Sequence, residues 1–242
     1  MAAMRRKRRS ETRRKNEQSQ TTDDSHYGKL MNLKLKAKNV FRMLVQKYGS
    51  EHAKQRLWND EFVAGRWKCL DSTGEESIRF YVEKYANQGA ILDLGCGSGT
   101  TGIELNPASY SFYTGVDISD VALIKAKARA LEVGVADRRE YCDADILTYV
   151  PERQYSVILF GDSIYYIPSG RIVSVLSRYA KYLSANGVFA VRLFDVSGKL
   201  LQILQLIESH FLVMDKQLND QTHVCNIVFC PDDAARRSIQ PR

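Results

Sequence analysis

Eight consecutive residues constrain this chain more than any others: Asp93-Leu94-Gly95-Cys96-Gly97-Ser98-Gly99-Thr100. They follow the short apolar run Ala90-Ile91-Leu92-Asp93-Leu94, which reads as a buried strand, and they lead into Thr101–Leu105, where a helix begins. A glycine-rich turn from strand to helix is the ligand-binding corner of a doubly wound sheet, where ligands sit beyond the carboxyl ends of the strands. Glycines there let backbone approach ligand with no Cβ in the way. Asp93, two residues before the first glycine, favours a cationic ligand, because a carboxylate repels pyrophosphate and attracts an ammonium.

Downstream of this turn, strands and helices alternate. Strands are expected at Phe112–Asp117, Glu140–Ala144, Tyr155–Phe160 and Gly187–Leu193, with a closing pair at Phe211–Lys216 and His223–Cys230. Helices are expected at Asp120–Val133, with Ser119 as N-cap, at Ser169–Leu183 and at Lys199–His210. The pattern predicts a Rossmann-like α/β fold: a seven-stranded, mostly parallel sheet with helices on both faces. Upstream, 27–57 reads as helical with a stop at Gly49-Ser50, and Glu75–Ala86 as a further helix.

The net charge of +7 has to be located before it is used. Residues 1–15 hold eight of the 35 basic side chains and one of the 28 acids, which leaves 27 against 27 in the remainder. The basic character therefore belongs to a tail, and the body is electrically neutral. Residues 1–26 carry no apolar period and are expected to be disordered. No apolar run reaches the roughly 18 residues that cross a bilayer. The five cysteines form no CxxC pair, so neither a zinc site nor a disulfide framework is expected, and a reducing compartment fits.

Ile91-Leu92-Asp93-Leu94-Gly95-Cys96-Gly97-Ser98-Gly99 resembles motif I of the class I S-adenosylmethionine-dependent methyltransferases, and later landmarks follow in that family's order. The resemblance covers about residues 75–230. It implies that Gly115-Val116-Asp117-Ile118-Ser119 ends the second strand, with Asp117 accepting from the ribose hydroxyls. Asp143-Ala144-Asp145-Ile146 resembles the adenine-binding segment, with Asp145 favoured over Asp143. Phe160-Gly161-Asp162-Ser163-Ile164-Tyr165-Tyr166 resembles the segment facing methionine and acceptor. The cofactor is then S-adenosyl-L-methionine, with Asp93, Gly95, Cys96, Gly97, Gly99, Asp117, Ile118, Asp145, Ile146 and Gly161 around it and no metal.

Two readings stay open beside this one. Gly97-Ser98-Gly99-Thr100-Thr101-Gly102 also fits GxGxxG, with Asp117 eighteen residues past Gly99, so a nicotinamide or flavin enzyme is a rival. The aromatic segment Trp58, Phe62, Gly65-Arg66-Trp67 is either a core helix or a lid over the cofactor. As a lid it would offer Arg66 to the methionine carboxylate.

Methyl transfer needs alignment, and a hydroxyl acceptor also needs a base. Asp162 is the candidate base, with His223 and Tyr165 as further catalytic candidates and His210 weighed beside them. Three segments are expected: a basic tail (1–26), a helical extension or lid (27–74) and the methyltransferase domain (75–242). The leading function is methyl transfer to a hydroxyl or amine of a small molecule in the cytoplasm, without a membrane. The alternatives are an RNA or protein methyltransferase tethered by its basic tail, with a nucleus open to it, and a non-catalytic scaffold. The sequence leaves the acceptor and the oligomeric state unspecified.

Overall fold

The structure is a computed structural model that describes residues 36–67 and 78–232. The expectations for the basic tail, for 27–35 and for 75–77 lie outside those residues. The chain divides into two compact units, 1–45 and 46–242. In the first, residues 36–45 are helical, and Val40, Phe41 and Leu44 are exposed.

The second unit holds the α/β sheet. Its elements run α1 (Glu51–Val63), α2 (Arg79–Ala86), β1 (Ala90–Leu94), α3 (Thr100–Glu104), β2 (Phe112–Asp117), α4 (Asp120–Glu132), β3 (Arg139–Asp143), β4 (Tyr155–Gly161), α5 (Ile172–Ala180), β5 (Leu183–Leu193), α6 (Gly198–His210), β6 (Leu212–Leu218) and β7 (Cys225–Cys230). Among the described residues the sheet has seven strands in the order β3-β2-β1-β4-β5-β7-β6. The strands β3, β2, β1, β4 and β5 run parallel, and β7 is antiparallel to both β5 and β6. The order reverses between β1 and β4, which opens the cleft expected at such a switch point.

Period two divides the core. Leu92, Leu94, Ile158 and Phe160 face one side, packed with Ile172, Leu176 and Tyr179 of α5 and Ile203 and Ile207 of α6. Ile91, Val157, Leu159 and Ala190 face the other, with Tyr81, Val82 and Ala86 of α2. A parallel strand covered on both faces must be apolar at every position, which is why Val157–Phe160 is a continuous hydrophobic run.

The expected stop at Gly49-Ser50 is present: the preceding helix ends at Tyr48, and the Ser50 side chain accepts from Ala53 N as the N-cap of α1. Two later boundaries differ more from the sequence reading. The expected helix from Ser169 is a 3-10 turn over Ser169–Arg171 followed by the shorter α5. β5 starts at Leu183, because Leu183 pairs with Tyr155 before a register shift lets Val188 pair with Val157. No helix among the described residues is long and apolar enough to cross a membrane.

Helix α4 shows how local chemistry fixes the site. Ser119 Oγ accepts from Ala122 N at 3.1 Å, and Ala122, Ala126 and Ala130 follow at four-residue spacing on the buried face. The same hydroxyl donates to Asn59 Oδ1 of α1 at 2.7 Å. Ser119→Ala is expected to lower stability by about 1 kcal/mol through loss of the cap. It would be read as a lower urea midpoint at unchanged m-value.

Candidate functional site

The glycine turn is pinned to the neighbouring strand by its own backbone. Gly95 N and Cys96 N both donate to Val116 O, at 2.7 and 3.1 Å. Two of the glycines are required for different reasons. Gly99 has φ +77°, and a Cβ there would lie 2.9 Å from Ala126 Cβ, so its smallness seats the turn on α4. Gly97 has φ +54°, and a Cβ there would meet nothing nearer than Phe62 Cζ at 3.5 Å, so its bareness leaves room in a cavity.

That cavity has a volume of about 390 Å³ and lies at the switch point. It brings together Gly95, Cys96, Gly97, Asp117, Ile118, Asp145, Ile146, Gly161, Asp162 and Tyr165 of the sequence-derived candidates. Asp93, Gly99, Arg66 and His223 are not among its lining residues. Among the described residues no group of three or more His, Cys, Asp or Glu is placed to hold a metal ion.

Asp117 closes β2 with its carboxylate at the cavity. Oδ2 accepts from Gly97 N at 2.8 Å and Oδ1 from Ser119 N at 2.9 Å. Burial pushes its pKa up to about 6, against the pull of those backbone donors. Asp93 departs from its expected place. Its neighbours Leu92 and Leu94 face one core layer, so Asp93 is turned to the other side. There it is 2% exposed and accepts from Tyr113 OH at 2.6 Å. Burial pushes it up to about 7; the nearby Asp117 charge adds to this, and Tyr113 and Arg139 oppose it.

Asp145 lines the cavity two residues beyond β3, whereas Asp143 is exposed and accepts from Gln55 Nε2 at 3.0 Å. Asp145 Oδ1 accepts from Leu147 N at 2.9 Å, and Oδ2 pairs with Lys54 Nζ at 2.7 Å.

The roof comes from α1 and the turn after it. Trp58, Phe62 and Trp67 all line the cavity, and the two tryptophans are the only ones in the chain. Their rings lie 5.6 Å apart, and Trp58 meets Tyr166 edge-on at 4.8 Å. Glu61, buried beneath, accepts from Trp67 Nε1 at 3.2 Å. Arg66 is exposed outside this roof.

Asp162, which also lines the cavity, follows β4 with φ +57°, a left-handed conformation that Asp tolerates better than most residues. Pairing of Gly161 with Arg192 across β4 and β5 sets the Arg192 guanidinium on Asp162 Oδ2. Oδ1 is buried and has no hydrogen-bond partner among the described residues. Burial raises the Asp162 pKa above the ordinary carboxylate value, and the Arg192 charge works against that rise. Tyr165 is different: burial drives its phenol pKa far up, so it keeps its proton and is a donor rather than a base. His223, expected as a catalytic candidate, is exposed at φ +58° in the turn before β7, and it is its backbone carbonyl that accepts from Val196 N. His210 ends α6 in solvent.

Sequence reasoning missed Lys54 and the pairing of Arg192. Lys54 lies 91 residues from its partner, and no local pattern marks it.

The methyltransferase domain family matches residues 92–189. A 27-O-demethylrifamycin SV methyltransferase of Amycolatopsis mediterranei is 30% identical over 144 residues, which is 56% of this chain and 52% of that one. A ribosomal protein L11 methyltransferase of Xylella fastidiosa is 31% identical over 127 residues, 52% of this chain and 36% of that one. The chain thus spans about half or less of the length of these curated relatives. An S-adenosylmethionine-dependent methyltransferase from Clostridium acetobutylicum has a similar fold, with TM-score 0.57 and 16% identity over 71% of this chain and 98% of that one. Magnesium protoporphyrin IX methyltransferase from Synechocystis, with bound S-adenosylmethionine, gives 0.56 and 16% over 72% and 94%. At these identities the two structures bear on the fold alone.

The buried acids give a pH signature. A carboxyl whose folded pKa is raised holds its proton more tightly when native, so the native state binds more protons between the two pKa values. Stability then falls as pH rises across that window. For Asp93 the window runs from its ordinary value of 3.8 to about 7. The unfolding free energy of the cofactor-free protein is expected to decline from pH 5 to pH 8 in urea titrations, and less steeply in Asp93→Asn. Identical slopes in the two proteins would remove this account of Asp93.

Proposed function

We propose, from the match of residues 92–189 to the methyltransferase domain family, that this chain is an S-adenosylmethionine-dependent methyltransferase acting on a hydroxyl or amine of a small molecule. One observation carries the proposal: a single cavity is lined by the glycine turn, Asp117 and Asp145 together with the Asp162–Arg192 pair. A roof of Trp58, Phe62 and Trp67 supports an enclosed small acceptor rather than a polymer lying in an open groove. The name of the Amycolatopsis relative, a methyltransferase of a demethylrifamycin, agrees with that class.

The residues present suit the donor. Asp117 offers a carboxylate to the ribose hydroxyls, Asp145 an acceptor to the adenine amine, and Gly97 the space that a Cβ would fill. When bound, S-adenosylmethionine supplies a methyl group on a sulfonium, an electrophile that needs alignment more than activation. Asp162 Oδ1, buried and without a hydrogen-bond partner among the described residues, accepts the proton of the acceptor's hydroxyl or amine. Arg192 occupies Oδ2 and fixes the carboxylate's orientation. Tyr165 retains its proton and donates to the acceptor.

Because both tryptophans line the cavity, their fluorescence should report binding of S-adenosylhomocysteine directly. Affinity is expected to rise from pH 5 to pH 7 as Asp117 ionises through about 6, since only the ionised form accepts from both ribose hydroxyls. Asp117→Ala should weaken binding by about 1.5–3 kcal/mol, the scale of hydrogen bonds to a charged group. Unchanged affinity would refute the ribose assignment. The acceptor class is tested by labelled-methyl transfer into metabolite, protein and RNA extracts. Label confined to protein or RNA would overturn the small-molecule reading. With an acceptor in hand, Asp162→Asn should lower kcat by about 10²–10⁴-fold while leaving S-adenosylhomocysteine affinity in place.

A further inference from the structure

We propose that Lys54 is a specificity-determining residue of the donor site, a positioning residue that orients the Asp145 carboxylate to accept from an amine-bearing base. The inference rests on the S-adenosylmethionine reading above and adds to it a residue of α1, the helix that precedes the sheet.

Lys54 and Asp145 are 7% and 8% exposed, and both line the cavity. A lysine is almost never buried unless it is paired, and here the pair is direct, with Nζ 2.7 Å from Oδ2. The other oxygen is held by Leu147 N at 2.9 Å. A carboxylate has about four lone-pair sites, so two remain. With one oxygen tied to a backbone amide and the other to an ammonium, the plane of the carboxylate cannot turn. Without Lys54 the group would be free about its last torsion and would carry a buried, uncompensated charge.

The position of Lys54 is itself determined. On the same helix, Gln55 donates to Asp143, while Asn59 donates to Asp120 Oδ1 at 2.6 Å and accepts from Ser119 Oγ at 2.7 Å. These ties join α1 to the ends of β3 and β2, the two elements that present Asp145 and Asp117. The roof helix and the base-reading carboxylate are therefore one assembly.

A fixed carboxylate distinguishes bases sharply. An exocyclic amine donates to it, whereas the carbonyl oxygen that hypoxanthine carries at that position faces it with a second acceptor. Sites built to bond an N–H reject an analogue lacking it far more strongly than apolar pockets reject a change of size.

The test uses the full chain and two probes, S-adenosylhomocysteine and S-inosylhomocysteine, titrated against the fluorescence of Trp58 and Trp67. The wild-type protein is expected to prefer the adenosyl ligand by about tenfold or more, the scale of one hydrogen bond to a charged group. In Lys54→Met the ratio should shrink to about threefold or less, and Lys54→Gln, which keeps a donor without the charge, should fall between. A lysine that merely holds α1 in place would weaken both ligands alike and leave the ratio intact, and that result overturns the proposal. Should Lys54→Met not fold, the Gln variant decides on the same criterion. If the wild-type protein binds both ligands equally, the reading of Asp145, and Lys54 with it, fails. If it binds neither, the methyl-donor reading fails first.

Discussion

The site depends on one carboxylate accepting two backbone amides. Asp117 ties Gly97 of the turn after β1 to Ser119 at the start of α4, and such charge-assisted bonds are among the stronger ones in a protein. Ser119 then caps α4 and reaches Asn59 of α1. Turn, strand end, helix cap and roof are linked through a short series of hydrogen bonds. The cost of burying the charge appears in the raised pKa of Asp117, and the amides offset part of it.

Much of the fold is legible in the sequence because a parallel strand buried on both faces has little choice of residue. Val157–Phe160 and the run ending at Leu94 advertise themselves, and the glycine turn marks the switch point. The direction of Asp93 was also available: in a strand with period two it cannot share a face with Leu92 and Leu94, so a place beneath the turn beside Tyr113 follows from alternation. The motif's chemistry drew attention to the acid, and its geometry sends it elsewhere.

The rest of the site was not legible for a different reason. Asp162 and Arg192 become neighbours only through the register of β4 on β5, and register is a property of pairing, not of either segment. Lys54 and Asp145 are further removed, on a helix before the sheet and a loop after the edge strand β3. His223 drew notice by residue type alone, with no spacing behind it, and it lies in a solvent-facing turn. Local pattern thus finds the backbone cradle, while long-range pairing supplies the side chains that tune it.

The order of the strands has a bearing on how the molecule is assembled. β7 is buried along its whole length and lies between β5 and β6, so a segment late in the chain fills an interior place in the sheet. Phe229 stacks on Phe189 of β5 at 5.3 Å, and until it arrives that half of the sheet has an open, apolar edge. During synthesis the parallel half can form as it emerges, but β5 has to wait for residues 225–230 before its hydrogen bonds are complete. In the nascent protein the apolar part of β5, Val188–Val191, therefore has an unpaired edge until β7 arrives, and this is an interval in which a chaperone has something to bind.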